Sequence, residues 1–123
     1  MIRQMTLLTT VCCLLFLYSC SKDGSNNNNN NNSGGLDCST VTNKAFAADV
    51  NPIIQGTCAS QTACHGSGSV NGPGALTTYS AIFNSRNNIR SAIASGTMPK
   101  TGTLSTAQKN SILCWIDGGA PNN

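Results

Sequence analysis

Seven consecutive asparagines, Asn26 to Asn32, divide this chain before any folding pattern begins. The stretch around them, Lys22 to Gly35, contains no apolar side chain. Such a segment buries too little surface to offset its ordering entropy, so it reads as a tether. As a flexible coil it has a root-mean-square reach of about 20 Å. What folds must come from residues 36–123. That is one domain, with a core too small to be comfortably stable without a covalent staple or a bound group.

The residues before the tether read as an address. Residues 1–19 carry Arg3 and then an apolar run from Met5 to Leu17, too short to span a bilayer and typical of a secretory leader. Leu17-Tyr18-Ser19-Cys20 resembles a bacterial lipobox, with Tyr18 departing from the usual small residue. Acylation of Cys20 would make it the first mature residue and anchor the chain, because several acyl chains on one residue hold where a single chain does not. The competing expectation is a plain signal peptide with Cys20 left as a free thiol. Ser21-Lys22-Asp23 is weakly similar to surface-export signals and fits equally well the start of a solvated linker. The expected organisation is a leader over 1–19, a lipidated N-terminus and linker over 20–35, and one domain over 36–123.

Beyond the leader the chain holds one histidine, His65, and one methionine, Met98, and His65 directly follows Cys64. A histidine immediately after a cysteine pair is the mark of covalent haem attachment: the sulfurs add to the vinyl groups and the imidazole binds the iron, as in C-x-x-C-H. Here the run is Cys58-Ala-Ser-Gln-Thr-Ala-Cys64-His65, a C-x5-C-H spacing wider than the usual form. Ala59 to Ala63 are small and polar enough to bulge into solvent. Gln61 stands where the shorter motif would put its first cysteine, so attachment through Cys64 alone is the rival arrangement.

The cysteine count fits this reading. Of seven cysteines, Cys12 and Cys13 fall in the leader, leaving Cys20, Cys38, Cys58, Cys64 and Cys114. In an oxidising compartment each needs an explanation. With Cys20 given to lipid and Cys58 and Cys64 to haem, Cys38 and Cys114 remain as one pair. A loop that long stabilises by roughly 4 to 5 kcal/mol in the chain-entropy model. The alternative pairs all four domain cysteines as two disulfides without haem. Net charge is small, with four Asp, no Glu and seven Lys plus Arg in the whole chain, which argues against a nucleic-acid partner or an anionic membrane surface.

Helical periodicity dominates the domain. Phe46, Val50, Ile53 and Ile54 form one face running into the cysteines, with Pro52 expected to kink or restart the helix. Tyr79, Ile82 and Phe83 suggest a second helix, and Ile89 with Ile93 a third that stops at Gly96. Ser105 with Gln108 makes a capping box for the last helix, whose apolar stripe is Ile112, Leu113, Trp115 and Ile116, closed by Gly118. No alternating strand pattern appears, so the expected fold class is all-α, with three to five helices.

In order, Phe46, Asp49-Val50, Pro52-Ile53, Cys64-His65, Gly72-Pro73, Gly96-x-Met98-Pro99 and Trp115-Ile116-x-x-Gly119-Ala120-Pro121 resemble the small single-haem class I cytochrome c domains of secreted and lipid-anchored bacterial proteins. The resemblance covers nearly the whole domain. It implies one haem c, first and last helices crossing beside it, His65 and Met98 as axial ligands, and Pro73 as the carbonyl that receives the other ring N–H of His65. Arg86 and Arg90, one turn apart, are candidate partners for the haem propionates.

With imidazole on one side and thioether on the other, both axial positions are filled, which suits electron transfer and not catalysis. The expected function is therefore electron carriage between redox proteins of the cell envelope by a lipid-anchored lipoprotein, on the periplasmic face or the cell surface. The alternative is a haem-free, disulfide-stapled extracytoplasmic binding module. A haem-based sensor or small peroxidase would require Met98 to dissociate, and a zinc site from Cys58, Cys64 and His65 fits common ligand spacings poorly.

Overall fold

The computed structural model describes residues 36–123; the leader, Cys20 and the tether lie outside the described residues. Four helices and no strands make up the described part. The all-α expectation holds at that level. The first helix, α1, runs over 46–58; α2 is Tyr79–Asn84, α3 is Arg86–Ala94 and α4 is Thr106–Asp117.

Helix α1 passes through Pro52 without stopping. Its first and last parts, Phe46–Val50 and Ile54–Cys58, are π-helical, and only Asn51–Ile53 between them is α-helical. Pro52 has no N–H to donate and its ring crowds the carbonyl one turn back. A widened turn is one of the few ways a helix accommodates such a break in its hydrogen-bond ladder. The first N–H groups of α1 find acceptors far along the chain. Phe46 N–H donates to Asn123 Oδ1 at 2.8 Å and Ala47 N–H to the Asn123 carbonyl at 2.7 Å. Asp49 accepts the Ala45 N–H at 2.8 Å, a carboxylate at the end of a helix where the dipole favours it.

The predicted cap of α4 is present in full: Ser105 Oγ accepts from Gln108 N–H at 3.2 Å, and Gln108 Oε1 accepts from Ser105 N–H at 2.9 Å. The helix is buried more fully than a stripe would require. Every residue from Ser111 to Ile116 is buried, because α4 packs against both α1 and α3 and is bonded through Cys114 to Cys38. Ser111 is tolerated there because its hydroxyl donates to the Ala107 carbonyl at 3.0 Å.

An aromatic group ties the first and last helices together. The Phe46 ring lies 5.3 Å from Trp115 and meets Tyr79 edge-on at 4.9 Å, a geometry that stabilises beyond the area buried. Trp115 Nε1–H donates to the Pro121 carbonyl at 2.8 Å and Tyr79 O–H to the Ala120 carbonyl at 2.9 Å. The tail 120–123 is thereby laid against the core, with Ala120 itself fully buried.

Candidate functional site

Cys58 closes α1, and the chain then folds back on itself at once. His65 N–H donates to the Cys58 carbonyl at 3.0 Å, and Cys64 and Gly66 N–H both donate to the Gln61 carbonyl, at 3.0 and 2.8 Å. Thr62 Oγ1 reaches the Ser67 carbonyl at 3.0 Å and Asn71 Nδ2 the Ala63 carbonyl at 2.9 Å. Ser69 Oγ donates to the Cys64 carbonyl. The five residues between the cysteines therefore form a tied loop, with Ser60 to Ala63 facing solvent. Gly66 makes this possible. A Cβ there would sit 2.7 Å from the carbonyl carbon and oxygen of Gln61.

His65 is buried, 7% exposed, and its backbone is held on the next turn of chain: Leu76 N–H donates to the His65 carbonyl at 2.8 Å, and Gln55 Nε2 binds the Leu76 carbonyl at 2.9 Å. Its ring Nδ1 lies 3.0 Å from the Gly74 carbonyl. A carbonyl can only accept, so Nδ1 carries the proton of this bond, and in the neutral ring the lone pair is on Nε2. The acceptor is thus Gly74, one residue beyond the expected Pro73. Pro73 is exposed and lies on the wall of the neighbouring cavity. The reason is local: the turn over 71–74, with Gly74 N–H bonded to the Asn71 carbonyl and Gly74 at φ +101°, turns the carbonyl of the glycine toward the ring.

That cavity has a volume of about 550 Å³, within the range of small-molecule and cofactor pockets. Cys58, Cys64 and His65 line it from the α1 end, Ile89, Ala92 and Ile93 from α3, and Met98 to Thr101 from the loop that follows. Met98 is held near the end of α3, since its N–H donates to the Ala92 carbonyl at 3.2 Å and Thr97 Oγ1 binds the same carbonyl at 3.2 Å. Gly96 makes the turn between them at φ +71°, a conformation that costs glycine little. The helix stop expected at Gly96 is what delivers Met98 to the cavity.

Cys38 and Cys114 are bonded across 76 residues of sequence. Cys58 and Cys64 are both free thiols. Burial, and secondarily the neighbouring Cys64, pushes the Cys58 thiol above its ordinary value.

Arg86 and Arg90 do not line the cavity. Arg90 forks onto Asp117 at the end of α4, Nε to Oδ1 at 2.6 Å and Nη2 to Oδ2 at 3.1 Å, and this bond raises its pKa further. Arg86 folds back on α2, donating to the Phe83 carbonyl at 2.8 Å with its guanidinium 4.1 Å from the centre of the Phe83 ring. Neither arginine stands with the α3 residues that line the cavity, Asn88, Ile89, Ala92 and Ile93. The cation on the cavity wall is instead Lys100. Sequence reading also missed Gly66 and Gly74, whose roles lie in backbone approach and carbonyl direction, which no side-chain pattern records.

Among the described residues, no three His, Cys, Asp or Glu side chains come together as a metal site, and no helix is long and apolar enough to cross a membrane. Comparison with protein-family models, with curated proteins and with solved structures finds no match for this chain.

Proposed function

We propose that the cavity takes one haem c, bound through Cys58 and Cys64 and ligated by His65 and Met98, and that the protein is a lipid-anchored electron carrier of the bacterial cell envelope. The observation that carries this reading is the meeting of all four side chains at one cavity, from positions 58, 64, 65 and 98 on two separate loops and a helix end.

The donor set suits the group. A porphyrin brings four nitrogens of its own, so a histidine and a methionine complete six-coordinate iron. The Gly74 carbonyl commits Nδ1 of His65 and leaves Nε2 as the ligating atom, a partner arrangement that also raises the basicity of the ligand. Bound there, haem supplies a one-electron ferric–ferrous couple, which a thioether ligand moves toward the ferrous form.

The chain's own part is to hold its ligands still. Gly74 fixes the ring of His65, and the bonds that Met98 N–H and Thr97 Oγ1 donate to the Ala92 carbonyl fix the backbone at Met98. A ligand set that moves little between oxidation states favours electron transfer over bond-making at the metal. The aliphatic side chains of Ile89, Ala92 and Ile93 on α3 would limit water at a bound group and so favour its less charged, reduced form. The tether and the lipobox-like Cys20 support placement at a membrane surface, where other redox proteins of the envelope would be donor and acceptor.

The test is the intact mass of the mature protein, made with a cytochrome c maturation system, alkylated without reduction and then acid-denatured. One added haem mass with no alkylated thiol is the expected result, and it requires two thioethers and one disulfide. One haem mass with one alkylated cysteine would mean attachment through Cys64 alone. Polypeptide mass without haem would remove the electron-transfer reading and favour a disulfide-stapled binding module.

A further inference from the structure

Lys100 is the one lysine or arginine on the cavity wall, and no aspartate stands on that wall. It follows Met98-Pro99 and its side chain is exposed. The acidic side chains of the described residues are all engaged elsewhere: Asp117 holds Arg90, Asp49 accepts the Ala45 N–H, and Asp37 binds Ser39. The ammonium of Lys100 has no ion pair among the described residues. On the opposite account, the sequence from Val50 to Ser85 holds no Asp, Glu, Lys or Arg, so every wall residue contributed by that stretch, from Thr57 to Pro73, is without formal charge.

The cavity therefore has Lys100 as its one lysine or arginine, on a lining without Asp or Glu that includes the aliphatic side chains of Ile89, Ala92 and Ile93. A carboxylate placed against aliphatic wall is penalised unless it meets a cation, a donor or water. We infer that Lys100, with the hydroxyl of Thr101 and the amide of Asn88 also among the lining residues, receives the carboxylates of the bound group, and so decides which edge of the ring faces the 98–101 loop. This rests on the haem reading. Haem carries its two propionates on the edge away from its vinyls, so sulfur attachment at Cys58 and Cys64 and a carboxylate site at Lys100 call for the same orientation. The assignment replaces Arg86 and Arg90, whose guanidinium groups are spent on Phe83 and Asp117.

The experiment compares wild type with Lys100→Gln, Lys100→Glu and Lys100→Arg in the full chain matured with haem, and uses Lys109→Gln on α4 as a control for charge alone. Resonance Raman reads the propionate bending band, and voltammetry at low ionic strength reads the midpoint potential. The expected result is a displaced band in Lys100→Gln that returns to its wild-type position in Lys100→Arg, a potential that falls from wild type through Gln to Glu, and a band unmoved in Lys109→Gln. A band identical in Lys100→Gln and wild type, with haem mass present in both, overturns the assignment while leaving the haem reading intact. Equal displacement in Lys109→Gln overturns it as well. A wild-type protein without haem mass overturns the haem reading itself, and the Lys100 assignment falls with it.

Discussion

The ring of His65 is oriented by the carbonyl of Gly74, 3.0 Å from Nδ1 and nine residues further along the chain. Neither partner is on a helix. Both belong to one loop whose shape is set by backbone bonds, and the proton on Nδ1 follows from the acceptor being a carbonyl.

The first prediction concerns the two axial candidates. His65→Ala should abolish stable haem incorporation, read as loss of the haem mass and colour. Met98→Ala should retain covalent haem but lower the midpoint potential and let carbon monoxide bind the reduced protein at neutral pH. An unchanged spectrum and potential in Met98→Ala would refute its ligand role.

Gly66 offers a test independent of any cofactor. Its missing Cβ leaves room for the Gln61 carbonyl, which a methyl group would meet at 2.7 Å. Gly66→Ala should destabilise by about 1 to 3 kcal/mol, the range of overpacking in a tight site, read as a lowered urea midpoint. Gly56→Ala, where a Cβ would meet nothing within 4 Å, should not reproduce that loss.

The haem-free protein should show the burial of Cys58 in its pH behaviour. With its thiol raised above the ordinary value by burial, the neutral form is favoured on folding. This contributes stability that is present below the unfolded thiol pKa and is lost as pH rises through the folded one. Alkylation of Cys58 in folded, haem-free protein should therefore need a higher pH than in the urea-unfolded chain. Coincident pH profiles in the two states would contradict it.

Removing the staple should be costly. Cys38→Ser with Cys114→Ser opens a bridge that spans 76 residues, and loss of a native disulfide from a small domain costs about 2 to 5 kcal/mol. Thermal unfolding of the double variant against wild type measures this, and an unchanged midpoint would show that the core alone holds the fold.

Breaking the Arg90–Asp117 pair should cost little. Both side chains are partly exposed, and such pairs contribute about 1 kcal/mol or less. Asp117→Asn should shift the urea midpoint slightly, less so at high salt, and leave the haem mass unchanged.

Much of this was legible in the residues themselves. The capping box at Ser105 and Gln108, the stop at Gly96 and the apolar spacing at Phe46, Val50 and Ile54 are local signals, and local signals survive folding. Cys58, Cys64, His65 and Met98, singled out by their order in the chain, stand together on the wall of one cavity. Arg86 and Arg90 are absent from the cavity wall: Arg86 lies over Phe83 and Arg90 on Asp117, a partner 27 residues away that no local signal names. Gly74 was displaced by one residue because a carbonyl's direction depends on backbone torsion, which the Gly-Pro pair does not reveal. Pro52, expected to kink or restart the helix, instead lies in a short α-helical stretch between two π-helical parts of a continuous α1.

The bonds from Phe46 and Ala47 to Asn123 bear on the order of assembly. A helix whose opening N–H groups are answered 77 residues later, and whose aromatic anchor is Trp115, stays unfinished until the last residues of the domain are in place. The first helix is therefore completed by the end of the domain, and a fragment that stops short of Asn123 lacks both acceptors of its opening N–H groups.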